Sequence, residues 1–198
     1  MIINFDGDDQ LLAFMGTELV GLNPDNGELL WRHEHRTQYG FNCSSPVFDG
    51  KDRVFMSSAY GTGSAAIRLV RESGKTVASE LWKSRKIRVH FTNTIIDGDY
   101  VYGSSVDGAV FFFCMELETG KIRWRKRGFS KANVIFTPGH AILLDEDGNL
   151  GLATIGPEGM DVRSMCKIAE RYAFAAPTLA DSTLYVRDRK HIMAFDLR

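Results

Sequence analysis

Leu117-Glu118-Thr119-Gly120-Lys121-Ile122-Arg123-Trp124 joins an apolar run to a tryptophan through an acidic turn that contains glycine. The same arrangement stands at Leu22-Asn23-Pro24-Asp25-Asn26-Gly27-Glu28-Leu29-Leu30-Trp31. A looser copy, Val70-Arg71-Glu72-Ser73-Gly74-Lys75, reaches Trp82 after a small insertion. Outward from these turns the pattern is shared. Short apolar runs come first, opened by a two-residue turn signal at Asp6-Gly7, Asp49-Gly50 and Asp97-Gly98, with Pro138-Gly139 and Asp181-Ser182 as variants. Asp-Gly supplies the positive φ that a two-residue hairpin needs, and the acidic-x-Gly turn works in the same way. Helical amphipathic periodicity is sustained nowhere, and apolar residues come in strand-length runs. Each unit therefore reads as four short antiparallel strands, A to D.

Units of this kind recurring about every 40–50 residues are stacked supersecondary structures, and with all-β content they are propeller blades. The sequence predicts an all-β fold, a single β-propeller region of four-stranded antiparallel blades over residues 1–198. About five blades are visible, at approximately 1–35, 44–84, 91–126, 131–168 and 174–198. Strand C of the third is expected at 109–115, and the fifth blade stops after its strand C at 191–195. The tryptophan on each outer strand is expected to lay its ring over the next blade, near a turn glycine where a Cβ would obstruct it. Gly27, Trp31, Gly74, Trp82, Gly120 and Trp124 are thus expected docking residues, and Trp124→Ala is expected to cost about 3–5 kcal/mol. In the fourth blade Cys166 is expected at the tryptophan's place.

Composition bounds the function. Apolar content of 44% and charged content of 25% describe an ordinary soluble globule, and 19 glycines suit a chain full of tight turns. A net charge of −1 provides no field to recruit nucleic acid or an anionic membrane. The densest basic run, residues 83–88, reads as a solvated loop. Cys43, Cys114 and Cys166 are far apart and form no CxxC, so no metal or redox motif is indicated. No apolar run is long enough for membrane insertion. The opening Met-Ile-Ile-Asn-Phe-Asp-Gly-Asp-Asp is not a secretory leader, so a periplasmic or extracellular location would need an export signal on a parent protein.

The repeated G-x-x-x-W, with its leading leucine and acidic turn, resembles the tryptophan-docking repeat of PQQ-like repeat, quinoprotein alcohol dehydrogenase-like β-propellers. That family holds both quinone-dependent dehydrogenases and a noncatalytic branch typified by an outer-membrane assembly lipoprotein. The segments Tyr39-Gly40-Phe41-Asn42, Ser58-Ala59-Tyr60-Gly61-Thr62-Gly63 and Arg88-Val89-His90-Phe91 look like those of an uncharacterised bacterial group of exported PQQ-like repeat proteins. Relatives close with seven or eight blades, so the resemblance implies a partial, open arc whose bare edges favour self-association. Dehydrogenases of the family carry adjacent cysteines over the quinone and a calcium site. This chain has no adjacent cysteines and no acidic cluster with ligand-like spacing. No cofactor is therefore expected. PQQ and Ca²⁺ belong to the alternative, in which the chain is part of a quinoprotein oxidoreductase with cofactor residues elsewhere.

In a propeller the D–A and B–C connections open on one face. That face is expected to hold Tyr39, Asn42, Tyr60, Arg85, Arg88, His90, Arg171 and Tyr172, and aromatic and arginine residues on rigid loops are the usual material of recognition. His33 and His35 share one face of strand D but have no third ligand nearby in the sequence. No Ser-His-Asp order, nucleophile elbow or paired-carboxylate context is present. The expected function is a noncatalytic scaffold that binds a protein or peptide partner through its loop face.

Overall fold

The computed structural model describes residues 1–106 and 110–198. Among them there is no helix, and nineteen strands form five antiparallel sheets. The first sheet holds β1 (Ile2–Phe5), β2 (Asp8–Phe14), β3 (Glu18–Leu22) and β4 (Leu29–Glu34). The second holds β5 (Val47–Phe48), β6 (Arg53–Ser58), β7 (Gly63–Glu72) and β8 (Lys75–Ser84). The third holds β9 (Thr94–Asp97), β10 (Tyr100–Ser105), β11 (Phe111–Glu116) and β12 (Ile122–Lys126). The fourth holds β13 (Asn133–Thr137), β14 (His140–Leu144), β15 (Asn149–Gly156) and β16 (Gly159–Lys167). The fifth has three strands, β17 (Thr178–Ala180), β18 (Thr183–Arg187) and β19 (Ile192–Asp196), with β19 at its edge. Each sheet is a meander of sequential neighbours. The expected start of the third C strand, Ala109, lies outside the described residues.

Two compact units carry these sheets. One comprises Met1–His90 with Glu116–Lys121, the other Phe91–Met115 with Ile122–Arg198. The core of the first gathers Ile3, Leu12, Leu19 and Trp31 against Val54, Met56, Ile67 and Leu69. The core of the second gathers Tyr102, Phe112 and Cys114 against Val134, Leu143, Ala153 and Ile155. A further cluster in that unit joins Leu144 to Leu184 and Val186. β6 is buried along its whole length and β11 through Met115; β11 reads as an apolar run over Phe111–Met115, whereas β6 buries Arg53, Ser57 and Ser58 beside Val54, Phe55 and Met56.

The turns form as their residues dictate. Asp6 at φ 53° and Gly7 at φ 87° close the β1–β2 hairpin over the pair Phe5↔Asp8. The long C–D turns of the first and third sheets share a hydrogen-bond pattern. The Gly27 N–H donates to Asn23 O and the Gly120 N–H to Glu116 O, both at 2.9 Å.

One feature recurs in every four-stranded sheet. The pairing of strands C and D slips between Gly21/Leu22, Ala66/Ile67, Cys114/Met115 and Leu152/Ala153. Such a slip is a bulge, which twists and re-aims the longer strand. The residue opposite the last regular pair is Trp31, Trp82, Trp124 and Ser164 in turn. Ser164, not Cys166, therefore stands where the other sheets have tryptophan. Cys166 lies two residues farther along β16, opposite Leu150.

The three tryptophans engage different partners. Trp31 donates from Nε1 to Gln10 Oε1 at 2.6 Å, and Gln10 donates onward to Thr76 Oγ1 of the second sheet at 2.9 Å. Its ring covers Gly21, where a Cβ would lie 2.2 Å away. Trp82 donates to Leu117 O at 2.8 Å and lies on Gly120, where a Cβ would come within 2.6 Å. Glu118 secures the same turn to Arg68 at 2.7 Å and to Arg53 at 3.5 Å. Trp124 donates to Gly156 O at 2.8 Å. No ring approaches Gly27 or Gly74; their φ values of 75° and 80° show that the turn itself requires glycine there.

Candidate functional site

The D–A and B–C connections are tied to one another by short polar contacts. Asn42 donates to the carbonyls of Met15 at 2.6 Å and His35 at 3.2 Å, and accepts from Ser58 Oγ. Thr62 Oγ1 donates to Arg36 O at 3.0 Å. Asn42 is thus engaged in holding two loops together. In the second unit the same task falls to aspartates at the end of strand B. Asp188 accepts from the N–H groups of His191, Lys190 and Glu170 at 2.7, 2.8 and 3.1 Å. These donors hold its carboxyl far below the usual carboxylate range. Asp145 accepts from Asn149 N–H at 2.9 Å and Ser130 N–H at 3.3 Å.

On this frame the first unit carries an exposed aromatic group. Tyr39 and Tyr60 meet edge to face at 5.3 Å, with Phe41 beside both at 6.4 and 6.3 Å. Tyr60 also meets the His90 ring at 5.1 Å, its hydroxyl 3.3 Å from Nε2. Tyr39 and Phe41 are more than half exposed. Tyr60 sits at φ 55°, an uncommon conformation for a bulky residue. Arg85 is exposed, and its carbonyl accepts from Arg88 Nε at 3.1 Å.

The second unit carries an aromatic group ringed by cations. Tyr172 stacks on Phe174 at 5.3 Å, and Phe174 meets Phe91 edge to face at 4.9 Å. Arg171 and Arg189 lie over the Tyr172 ring at 4.8 and 5.6 Å, and Lys131 lies over Phe91 at 5.5 Å. Arg171 also pairs with Asp147 at 3.1 Å, and Lys131 with Glu146 at 3.1 Å.

Tyr39, Tyr60 and His90 thus form one group, with Arg85 and Arg88 in the same unit's loops, while Arg171 and Tyr172 belong to the other unit. Sequence reasoning did not select Phe41, Phe91, Phe174, Lys131 or Arg189. The signal for the first three was an aromatic residue inside a D–A connection; nothing local marks the two cations.

The histidines of strand D face inward. His33 Nε2 lies 3.3 Å from Glu80 of β8. His35 is fully buried and meets Phe14 edge to face at 5.3 Å. Burial, helped by Lys83 and His33, pushes its ring down to about 4. Among the described residues no three His, Cys, Asp or Glu side chains are grouped as metal ligands. Cys43 and Cys166 are exposed and Cys114 is buried in β11. The three cysteines stand apart in the sequence, with no adjacent pair. Among the described residues no helix is long and apolar enough to cross a membrane.

The family model described as outer membrane protein assembly factor BamB matches residues 2–150. The chain belongs to the BamB family. Solved structures place it in the same fold. BamB from Moraxella catarrhalis superposes with a TM-score of 0.73 at 14% identity, covering 100% of this chain and 57% of that one. The computationally designed Ika8 protein matches at 0.69 and 14% identity, over 98% of this chain and 57% of that one. The designed Ika4 protein matches at 0.55 and 14% identity, over 79% of this chain and 91% of that one. The chain therefore spans little more than half the length of the BamB it resembles. No curated protein sequence matches it. The all-β propeller fold and the PQQ-like repeat family expected from the sequence are those of BamB.

Proposed function

We propose that the chain is a noncatalytic β-propeller scaffold that binds a protein or peptide partner through its D–A and B–C loops. The carrying observation is the pair of exposed aromatic groups, Tyr39/Phe41/Tyr60 and Phe91/Tyr172/Phe174, held on loops that are hydrogen-bonded to one another. Aromatic and arginine side chains dominate binding energy where they are already positioned. The cations around Tyr172 suit a partner segment that combines aromatic and acidic residues. The family description, outer membrane protein assembly factor, supports a partner drawn from outer membrane protein assembly.

A photo-crosslinking amino acid placed at Tyr39 or Tyr172, in the cell that makes the protein, tests this. The reading predicts cross-links to outer membrane assembly components from both positions and none from Glu28 on an exposed C–D turn. Equal cross-linking from Glu28, or none from the loops, contradicts it.

A further inference from the structure

The outer strand of the third sheet differs in charge from the other outer strands. β4 holds Arg32 and Glu34, β8 holds Lys75, Glu80 and Lys83, and β16 holds Asp161, Arg163 and Lys167. Each of these mixes signs. Arg32 and Arg163 also meet carboxylates of their own sheets, Glu18 at 3.5 Å and Asp161 at 3.1 Å. β12 and the residue after it read Arg123-Trp124-Arg125-Lys126-Arg127, with four cations and no anion. This run is denser in charge than the one at 83–88, and all four cations are exposed.

The register fixes how these charges are displayed. Cys114 pairs with Trp124 and Met115 with Ile122, so Arg123 is the extra residue of the bulge. It reaches Glu158 at 3.0 Å. Arg125 stands opposite Phe113, and its guanidinium lies over the Phe111 ring at 4.9 Å. Lys126 stands opposite Phe112 and projects from the other face. Among the described residues no carboxylate forms an ion pair with Arg125, Lys126 or Arg127. The sheet order is β12-β11-β10-β9, so the outward backbone groups of β12 meet no strand.

We propose that β12 takes up an extended acidic segment of a partner polypeptide as a fifth strand of the third sheet. Two properties point to that occupant. The backbone groups of an edge are met by another strand, and a row of cations along it is met by carboxylates. A second copy of β12 is a poor occupant, because like charges would lie opposite one another. A lipid surface fits less well, because carboxylates flank the strand at Glu158 and at Asp161 of the neighbouring β16, which leaves a cationic area one strand wide. Cations on an edge discourage chance pairing, and the same cations favour a strand that carries carboxylates. This surface is separate from the D–A and B–C loops, and the inference stands without the loop-face reading.

Titration of the full chain with a capped peptide alternating glutamate and threonine, followed by backbone amide NMR, tests it. The expected result is saturable shifts centred on Arg123, Arg125 and Lys126, slower hydrogen exchange of β12 amides, and binding that weakens as salt rises. The matching glutamine–threonine peptide binds at least about tenfold more weakly. Arg125→Glu/Arg127→Glu, at exposed positions, weakens the acidic peptide at least about tenfold. Lys126→Glu decides the matter should the double variant fail to fold. Absence of saturable shifts, equal binding of the glutamine peptide, or undiminished binding by the folded charge-reversed variants overturns the proposal. Shifts without slower amide exchange also overturn it, because the contact is then one of charge alone. So does binding of phosphatidylglycerol vesicles through β12 as tight as that of the peptide, because the occupant is then a lipid surface.

Discussion

At the scale of single residues, the tryptophans are not equivalent, although their turns look alike in sequence. Trp31 is 5% exposed and sits in the core, whereas Trp124 is only partly buried. Large aromatic truncations in cores cost about 3–5 kcal/mol. Trp31→Ala is therefore predicted to fall in that range and Trp124→Ala below it, the order to be read from denaturant midpoints; the reverse order would mean that the outer strands contribute differently. The glycines divide in the same manner. Gly120→Ala forces both a φ of 68° and a Cβ 2.6 Å from the Trp82 ring, while Gly27→Ala forces only a φ of 75° in open space. Gly27→Ala is predicted to cost about 1–2 kcal/mol and Gly120→Ala clearly more, as equilibrium unfolding will show. Sequence spacing revealed Trp31 and Trp124 because both lie four residues after a turn glycine. It misplaced the fourth equivalent because a bulge, not the distance from the turn, sets which D residue faces the gap.

At the scale of elements, the outer strand β4 carries a built-in acid sensitivity through the histidine that follows it. His35 is fully buried, and His33, Lys83, Glu80 and Glu34 are the charged or titratable groups that act on the pair. Burial lowers His35 from 6.5 to about 4, so the unfolded chain binds its proton first as pH falls. The stabilising contribution is complete above pH 6.5 and is lost as pH falls from 6.5 through about 4. Linkage makes that contribution on the order of 3 kcal/mol. His35→Phe, which keeps a ring against Phe14, is predicted to flatten the stability curve in that window; identical slopes in parent and variant would contradict it. Asp49, raised by burial but lowered further by hydrogen bonds from Arg53 and Lys51, titrates below its ordinary value of 3.8 and so lies outside this window, whereas His33, also lowered by burial, adds a slope of the same sign that the variant retains. The strands themselves were legible from turn dipeptides and apolar runs. The loops were not, because Phe41 meets Tyr60, and Phe91 meets Phe174, only through tertiary contact.

At the scale of the molecule, two features remain consequential. The fifth sheet ends at β19, where Ile192 is 78% exposed on an edge strand. Such an edge is a template for strand addition. The 198-residue chain is predicted to show a light-scattering mass that rises with concentration and that Ile192→Lys holds down; a constant monomer mass in both would contradict this. The other feature is the separation of tasks between tryptophans that support the fold and loop aromatics that do not. Tyr39, Phe41, Tyr172 and Phe174 are exposed, and their truncation removes little buried surface. The decisive measurement is the yield of partner cross-linking from Tyr39 in a Tyr60→Ala/Phe174→Ala variant whose thermal unfolding is recorded alongside. The prediction is a melting temperature within a degree or so of the parent with cross-linking lost. Cross-linking that persists at the parent's level in that folded variant would show that recognition lies elsewhere on the molecule.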